Sequence, residues 1–258
     1  MLELKEIEKL YAENIRLYKK NILREYLQYK ILEKIFNTRY SVKLSFIGGT
    51  ALRIVHNSSR FSEDIDFNNF GLSQVEFENL SINIEREMEL EGYKVERRNT
   101  FKESFRCYFK ILNILYENNI SDYPHEKLLI QIDTISQGID YKSEKVLLNK
   151  FDVFTQIRIT PLDILLSQKI WTIFNRKRDK GRDYFDIVFL LSRTKPNYYY
   201  LRKKLNINNS EDLKKRLLSK CEETDFDKLI KDIEPFVINP DELKRVTLFG
   251  EYIKRYDF

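Results

Sequence analysis

Cysteine and histidine are scarce in this sequence. Its 258 residues include two cysteines, Cys107 and Cys221, and two histidines, His56 and His125. The cysteines have no CxxC partner and no histidine at ligand spacing, which disfavours a disulfide framework and a zinc site. With so few histidines, general-base work would fall to carboxylates, so a histidine-dependent hydrolase is also disfavoured. We expect reduced thiols in a cytoplasmic protein.

Glycine, proline and long apolar runs are also rare. Only 7 glycines and 5 prolines are present, too few for a fibrous or linker-dominated protein. No apolar run approaches the roughly 18 residues that a membrane-spanning helix needs. The first twenty residues are charged and lack the apolar core and cleavage site of a signal peptide. Since 42% of residues are hydrophobic and 14% aromatic, we expect a globular protein without a membrane partner.

The excess of positive charge is small overall but concentrated in one region. The net charge is +5, too little to identify a nucleic-acid-binding protein by composition. The stretch from Lys169 to Lys204, however, contains eleven basic residues and only three acidic ones. This stretch could bind a polyanion, and it could equally be a solvated helix surface.

Hydrophobic spacing divides the chain into a sheet region and a helical region. Apolar residues recur every three or four positions over residues 2–36, which predicts one long or two consecutive helices. Near residue 160, Thr160-Pro161 resembles a helix start, with threonine at the N-cap. We expect an α+β fold with an N-terminal helix and sheet domain over residues 1–160 and a helical domain over residues 161–258. Strands are expected at 44–48, 62–70, 93–98, 104–115, 127–135 and 153–159, and helices at 50–57, at 73–90 and after 160, with breaks near Gly181, Pro196 and Pro240.

A glycine turn and three carboxylates form the candidate chemical site. Gly48-Gly49-Thr50 follows a strand and opens a helix, so its backbone amides could approach phosphate oxygens. Asp64 and Asp66 alternate with apolar residues and should share one strand face, and a later strand presents Asp133. Hard oxygen ligands of this kind suit Mg²⁺, as one ion or two, with Mn²⁺ as a substitute.

Each of these features also has a purely structural interpretation. The glycine pair could be a simple strand-to-helix turn, and Asp133 could be an exposed strand residue. Two carboxylates on one face repel each other, so they need a cation. Arg60 could supply that charge as a salt bridge, which makes it a rival to the metal ion.

The strongest sequence signal is a resemblance to a known family. Residues 46–67, FIGGTALRIVHNSSRFSEDIDF, resemble the glycine motif and Asp-x-Asp of the DNA polymerase β-like nucleotidyltransferase superfamily. GGTAL, RFSEDIDF, a lysine-containing helix and RDYFDI at 182–187 together resemble the AbiEii/AbiGii toxin family of bacterial abortive-infection and type IV toxin-antitoxin systems. The resemblance covers roughly residues 40–192.

The resemblance implies a fold, an activity and partners. The fold would be a polymerase β-like core with a mixed sheet and a C-terminal helical lobe that contributes Lys and Asp residues to the cleft. The activity would be Mg²⁺-dependent transfer of a nucleoside monophosphate from an NTP to an acceptor hydroxyl, with RNA, at the tRNA acceptor end, as the acceptor. A cognate antitoxin would be the protein partner. The identity of the acceptor follows from analogy with the family alone.

The resemblance also assigns roles to individual residues. The glycine turn would grip phosphates, the Asp-x-Asp pair would bind metal, and the later motif would add lysine charge and an orienting aspartate. Asp133 matches by strand context alone. The implied sites are catalytic at Asp64, Asp66, Asp133, Lys169, Asp183 and Asp186, nucleotide-binding at Gly48, Gly49, Thr50, Lys169 and Arg182, and metal-binding at Asp64, Asp66 and Asp133.

Alternatives remain open for the later motif and for the function. Lys169 could snorkel from an apolar helix to solvent, and Asp183 or Asp186 could pair with Arg182 or Lys180 for stability alone. A small-molecule nucleotidyltransferase of the aminoglycoside-modifying kind is the nearest rival function. A catalytically silent nucleotide- or RNA-binding module and a phosphotransferase are the others.

Overall fold

The computed structural model describes residues 2–258 and divides them into two compact units. The first comprises the residues up to His56 together with Phe61–Ile159, and the second comprises Asn57–Arg60 together with Thr160–Phe258. We call them the sheet unit and the helical unit. Within the described residues, no helix combines the length and apolarity needed to cross a membrane.

The sheet unit is built on a mixed, seven-stranded sheet. Its strand order is β3-β4-β5-β2-β1-β7-β6. The pairs β1–β7 and β2–β5 are parallel, and the other neighbours are antiparallel. The strands are β1 Leu44–Ile47, β2 Ile65–Asn69, β3 Val95–Phe101, β4 Phe105–Ile111, β5 Leu128–Ile135, β6 Glu144–Lys150 and β7 Val153–Ile159.

Helices cover one face of this sheet. The longest, α3, packs against β7 and α5, and α5 packs against β3. Ser73 caps α5, because its hydroxyl accepts from the Glu76 amide while the Glu76 carboxylate accepts from the Ser73 amide. The helices are α1 Leu4–Lys9, α2 Glu13–Arg16, α3 Lys19–Phe36, α4 Gly48–Ile54, α5 Gln74–Leu90 and α6 Ile114–Glu117, with a 3₁₀ helix at Arg39–Lys43.

Alternation along the strands separates a core face from an outer face. Phe46, Phe67 and Ile159 are neighbours in register and belong to the buried core. Residues adjacent to them in sequence, such as Asp66 and Arg158, therefore lie on the opposite, outer face. The candidate carboxylates are thus kept away from the apolar core and directed to the face that polar ligands can reach.

The helical unit buries its central helix, α8. Contacts come from α7, α11, α12 and α13, and the rings of Tyr184, Phe226 and Phe249 meet edge to face or tilted in its core. Its helices are α7 Leu162–Asn175, α8 Gly181–Leu191, α9 Tyr198–Leu205, α10 Ser210–Glu222, α11 Phe226–Ile233, α12 Lys244–Thr247 and α13 Phe249–Arg255, with 3₁₀ helices at Glu234–Phe236 and Pro240–Leu243.

The α+β class with a mixed sheet, N-terminal helices and a helical C-terminal region is confirmed. Two local predictions were wrong. The region 2–36 forms three helices. Tyr11 lies between α1 and α2, where its buried hydroxyl donates a hydrogen bond of 2.8 Å to Glu25. The strand expected at 104–115 ends at Ile111, and α6 follows it. The edge strand β6 was not predicted, since only Leu148 within it is buried and no clean alternation marks it.

Candidate active site

The glycine turn lies where β1 ends and α4 begins. Gly48 has φ +80°, a left-handed conformation that favours glycine. A Cβ atom at this position would overlap the Asp66 carboxylate, so Gly48 also permits that side chain to lie against the turn. Gly49 and Thr50 are buried. The Thr50 hydroxyl donates a hydrogen bond to the carbonyl oxygen of Asp64, which ties the turn to the acidic segment.

Asp66 and Asp133 are brought together by the pairing of β2 with β5. The two strands are parallel, and these residues are register partners. Partners in register point to the same face, here the outer one, and both side chains are half-buried. Asp64 directly precedes β2 and lies two residues before Asp66. The structure therefore places Gly48, Asp66 and Asp133 side by side, as the sequence motifs had suggested.

The Asp133 carboxylate accepts hydrogen bonds from two side chains, one a guanidinium and the other an amide. The Arg106 Nε donates to its Oδ1 at 2.6 Å, and the Gln131 amide donates to its Oδ2 at 2.6 Å. Arg106 is its register partner on β4 and is half-exposed. The charge of Asp133 raises the pKa of the Arg106 guanidinium. Arg106 was not identified from the sequence, because only the strand pairing brings it to the site.

The donor set fits a magnesium ion that shares its coordination with a substrate. Among residues 2–258, no group of three or more Asp, Glu, His or Cys side chains is arranged to hold a metal by itself. Mg²⁺ does not require such a cage, since it usually binds one or two carboxylates together with water and substrate phosphates. Asp66 and Asp133 supply two neighbouring hard-oxygen ligands beside the glycine turn, with Asp64 two residues away.

The later motif forms a buried ionic network in the helical unit. Lys169 of α7 contacts Asp183 at 2.9 Å and Asp186 at 2.8 Å, both on α8. Arg60 binds Asp186 through two nitrogens, at 2.7 and 2.6 Å. Arg176 approaches the other oxygen of Asp183 at 3.4 Å. We call these five side chains the buried ionic network.

Electrostatics hold the members of the network in their charged forms. Burial opposes the ionisation of Asp186, but the charges of Arg60 and Lys169 outweigh it and lower the pKa of its carboxyl group. Burial likewise opposes the Lys169 ammonium, and Asp183 and Asp186 outweigh it and raise its pKa. Breaking one member of such a pair leaves an uncompensated buried charge, which is costly.

The network bears on two interpretations made from the sequence. Arg60, considered as a cation for the Asp64 and Asp66 pair, binds Asp186 through its Nε and one Nη. Lys180, considered as a partner for Asp183 or Asp186, instead binds Asp232 at 3.0 Å. Arg182 is half-buried on α8. No sequence spacing could reveal the Arg60–Asp186 pair, because the two residues are 126 positions apart.

Two solved structures from Helicobacter pylori resemble this fold. One is JHP933, with a TM-score of 0.57 at 18% identity, covering 91% of this chain and 90% of its own. The other, described as a candidate nucleotidyltransferase, has a TM-score of 0.54 at 18% identity, covering 96% of this chain and 100% of its own. At this level of identity the likeness establishes the fold. The mixed sheet with its glycine turn and facing carboxylates therefore belongs to a fold that this chain shares with both structures.

The family itself follows from the sequence match over most of the chain. Residues 30–246 match the family model of the nucleotidyl transferase AbiEii toxin of type IV toxin-antitoxin systems. The chain belongs to this family. A comparison with curated proteins gives no match.

Proposed function

We propose that this protein transfers a nucleoside monophosphate from an NTP to a hydroxyl group of an RNA acceptor, as the toxin of a type IV toxin-antitoxin pair. The observation that supports this most strongly is the junction of Gly48 with Asp66, whose carboxylate lies where a Cβ at position 48 would be. A turn that can bind phosphate is thereby placed against a carboxylate that can bind Mg²⁺.

The reaction forms a bond between the acceptor oxygen and the α-phosphorus and breaks the bond between the α- and β-phosphates, so that pyrophosphate leaves. The amides of the Gly48–Thr50 turn would bind the β- and γ-phosphates. Asp64, Asp66 and Asp133 would hold one or two Mg²⁺ ions, which supply positive charge to the phosphates when bound. Asp133 is our candidate for accepting the proton of the attacking hydroxyl.

The roles of Lys169, Arg182, Asp183 and Asp186 in nucleotide binding stay a prediction from the family resemblance. Their contacts support a second role for three of them, because Lys169, Asp183 and Asp186 neutralise one another within the buried ionic network. Removing any one of these three side chains would leave a buried charge uncompensated, so they also support the fold.

Exposed cations of the helical unit support an RNA acceptor. Lys177 and Arg178 lie in the segment between α7 and α8, and Arg202 and Lys203 lie on α9, all of them exposed. Surface lysines and arginines bind phosphate backbones without regard to sequence. A cationic antibiotic, the acceptor in the rival function, would instead favour an acidic surface.

The cellular setting follows from the family. Type IV systems pair a toxin with an antitoxin, and we propose a cognate antitoxin as the protein partner. NTP and RNA substrates, together with the unpaired Cys107 and Cys221, favour the cytoplasm as the site of action.

The test is to incubate the protein with each radiolabelled NTP, Mg²⁺ and total cellular RNA. We expect label from one NTP to enter RNA, and Asp66→Asn to reduce incorporation to background while the melting temperature stays within a few degrees. Asp122→Asn, which changes an exposed aspartate, is the matched control. Retained transfer by Asp66→Asn contradicts the proposed site. A product mass showing a single added phosphate would identify a phosphotransferase instead.

A further inference from the structure

A large polar cavity lies on the sheet unit at the start of β1. Its volume is about 1030 Å³, and it is open to solvent. The lining comes from the 3₁₀ helix before β1, the end of β2, the loop 136–143, β6 and β7. The side chains that matter here are Phe70, Tyr141, Lys142, Lys145 and Arg158. We call it the β1-start cavity.

The lining of the β1-start cavity carries an excess of positive charge, with three cations and one carboxylate. Lys145 on β6 and Arg158 on β7 are register partners, so two cations stand directly opposite each other. Like charges in this arrangement destabilise a sheet. Among residues 2–258, no carboxylate forms an ion pair with Lys142, Lys145 or Arg158. Glu144 is the acidic member of the lining. An anion between the two strands would relieve this repulsion.

The wall of the cavity is fixed by buried polar contacts. Asn68 is 1% exposed and uses both ends of its amide. Its Oδ1 accepts a hydrogen bond from the backbone N–H of Gln137 at 2.9 Å, and its Nδ2 donates one to the Tyr141 hydroxyl at 2.9 Å. The Ser143 hydroxyl donates to Ser45 at 2.9 Å. The loop 136–143 is therefore tied to the sheet in the position that forms the cavity.

The cavity lies on the same face of the sheet as the proposed catalytic carboxylates. Arg158 is adjacent to the core residue Ile159, and Asp66 is adjacent to the core residue Phe67, so both belong to the outer face. Asn68, which anchors the wall, is two residues beyond Asp66 on β2. Strand β1 begins beside the cavity and ends at Gly48, a span of roughly 10 Å at about 3.3 Å per residue.

This distance separates the cavity from the proposed triphosphate site. The Gly48–Thr50 turn is the proposed site of the NTP phosphates. Phe70 and Tyr141 also line the cavity, but its three cations suit a further phosphate better than a neutral base. The remaining phosphate-bearing reactant is the acceptor. We propose that the β1-start cavity binds a phosphodiester of the RNA acceptor strand, through Lys145 and Arg158 with Lys142 beside them. This proposal rests on the function proposed above.

The test compares a double variant, Lys145→Ala/Arg158→Ala, with Lys9→Ala/Arg86→Ala. The control removes the same charge from exposed positions on α1 and α5, helices on the core side of the sheet. The probe is a fluorescein-labelled hairpin RNA with an unpaired 3′ end, and the readout is fluorescence anisotropy at several salt concentrations. For Lys145→Ala/Arg158→Ala we expect about a tenfold weaker RNA affinity, and no change for the control. The slope of log affinity against log salt concentration should fall in magnitude by about 1.4, as the loss of two single-strand phosphate contacts requires.

Separate outcomes decide the site and the function. RNA affinity equal to that of the wild type in Lys145→Ala/Arg158→Ala overturns the site, even if the wild type transfers nucleotide. A wild type that does not bind the RNA overturns it as well. A raised KM for the NTP with unchanged RNA affinity would assign the cavity to the nucleotide and contradict the proposal. RNA binding that depends on the two cations, in a protein that transfers nothing, would uphold the cavity and refute the proposed function.

Discussion

Arg60 and Asp186 form a bidentate ion pair with almost no solvent contact, at 2.7 and 2.6 Å. The two side chains are 1% and 0% exposed. Arg60 stands four residues before Asp64, and Asp186 lies on the central helix of the helical unit. The pair therefore ties the segment Asn57–Arg60 to α8 within the helical unit.

Removing one partner of this pair should destabilise the helical unit. We expect Asp186→Ala to lower the free energy of unfolding by about 3–5 kcal/mol, because it removes the carboxylate that binds the buried Arg60 guanidinium. The measurement is urea unfolding followed by tryptophan fluorescence, since Trp171 lies on α7. The double variant Arg60→Met/Asp186→Leu should lose less than the sum of the two single variants. Additive losses would show that the two side chains do not interact energetically.

The same network should make stability depend on pH. The pKa of Asp186 is lowered in the folded state, so its contribution is complete above the unfolded value of about 3.9 and is lost as the pH falls below it. The pKa of Lys169 is raised, so its contribution is complete below about 10.4 and is lost as the pH rises above it.

We therefore expect the melting temperature to fall at both extremes. Arg60, Asp183 and Arg176 also face these two groups, and the arginines stay charged throughout. The comparison is between wild type and Asp186→Asn in thermal melts across this range. The melting temperature of Asp186→Asn should fall less steeply as the pH is lowered. If both proteins lose melting temperature equally with falling pH, the Asp186 carboxyl group is not the source of the acid dependence.

Gly48→Ala should damage the candidate active site more than the fold. Alanine has an unfavourable φ here, and its Cβ would overlap the Asp66 carboxylate, so either the turn or Asp66 must move. We expect a stability loss of about 1–3 kcal/mol and a larger proportional loss of nucleotide transfer. Gly71→Ala is the matched control, because Gly71 also has positive φ but nothing lies within 4 Å of a Cβ there. Equal losses of nucleotide transfer in the two variants would show that the close approach of Gly48 and Asp66 is not needed for activity.

Arg106 provides a test of Asp133 as a metal ligand. Its guanidinium binds Asp133 at 2.6 Å and competes with any cation for that carboxylate. Arg106→Met should tighten Mn²⁺ binding by up to about fivefold, the value of an exposed salt bridge. Electron paramagnetic resonance of free Mn²⁺ measures this directly. Lys127→Met, which breaks the exposed pair with Glu96, should leave Mn²⁺ affinity unchanged. Unchanged affinity in Arg106→Met would argue against Asp133 as a ligand.

The sequence predicted the site best where the motif is local. Gly48, Thr50, Asp64 and Asp66 lie within nineteen residues, and short-range rules for turns and strand alternation place them on adjoining elements. Asp133 could be placed on a strand, but its pairing with Asp66 depends on the parallel contact of β2 with β5, which no local pattern specifies.

Long-range contacts account for what the sequence could not predict. Arg106 reaches Asp133 only through the order of strands, and Arg60 reaches Asp186 across 126 positions. Tyr11 lies where the N-terminal helical pattern is interrupted, and its hydroxyl has a buried carboxylate, Glu25, as its partner. In the case of Tyr11, a tertiary hydrogen bond accompanies a departure from the local helical pattern.

The assignment of Asn57–Arg60 to the helical unit limits how this chain can be dissected. A fragment that stops at residue 159 would retain this segment, including the fully buried Arg60, without the helices that bury it. A fragment that starts at residue 160 would leave the Asp186 carboxylate facing an absent arginine. Each fragment would lack one member of the buried Arg60–Asp186 pair, so we expect limited proteolysis at the boundary to unfold the helical half rather than release it intact.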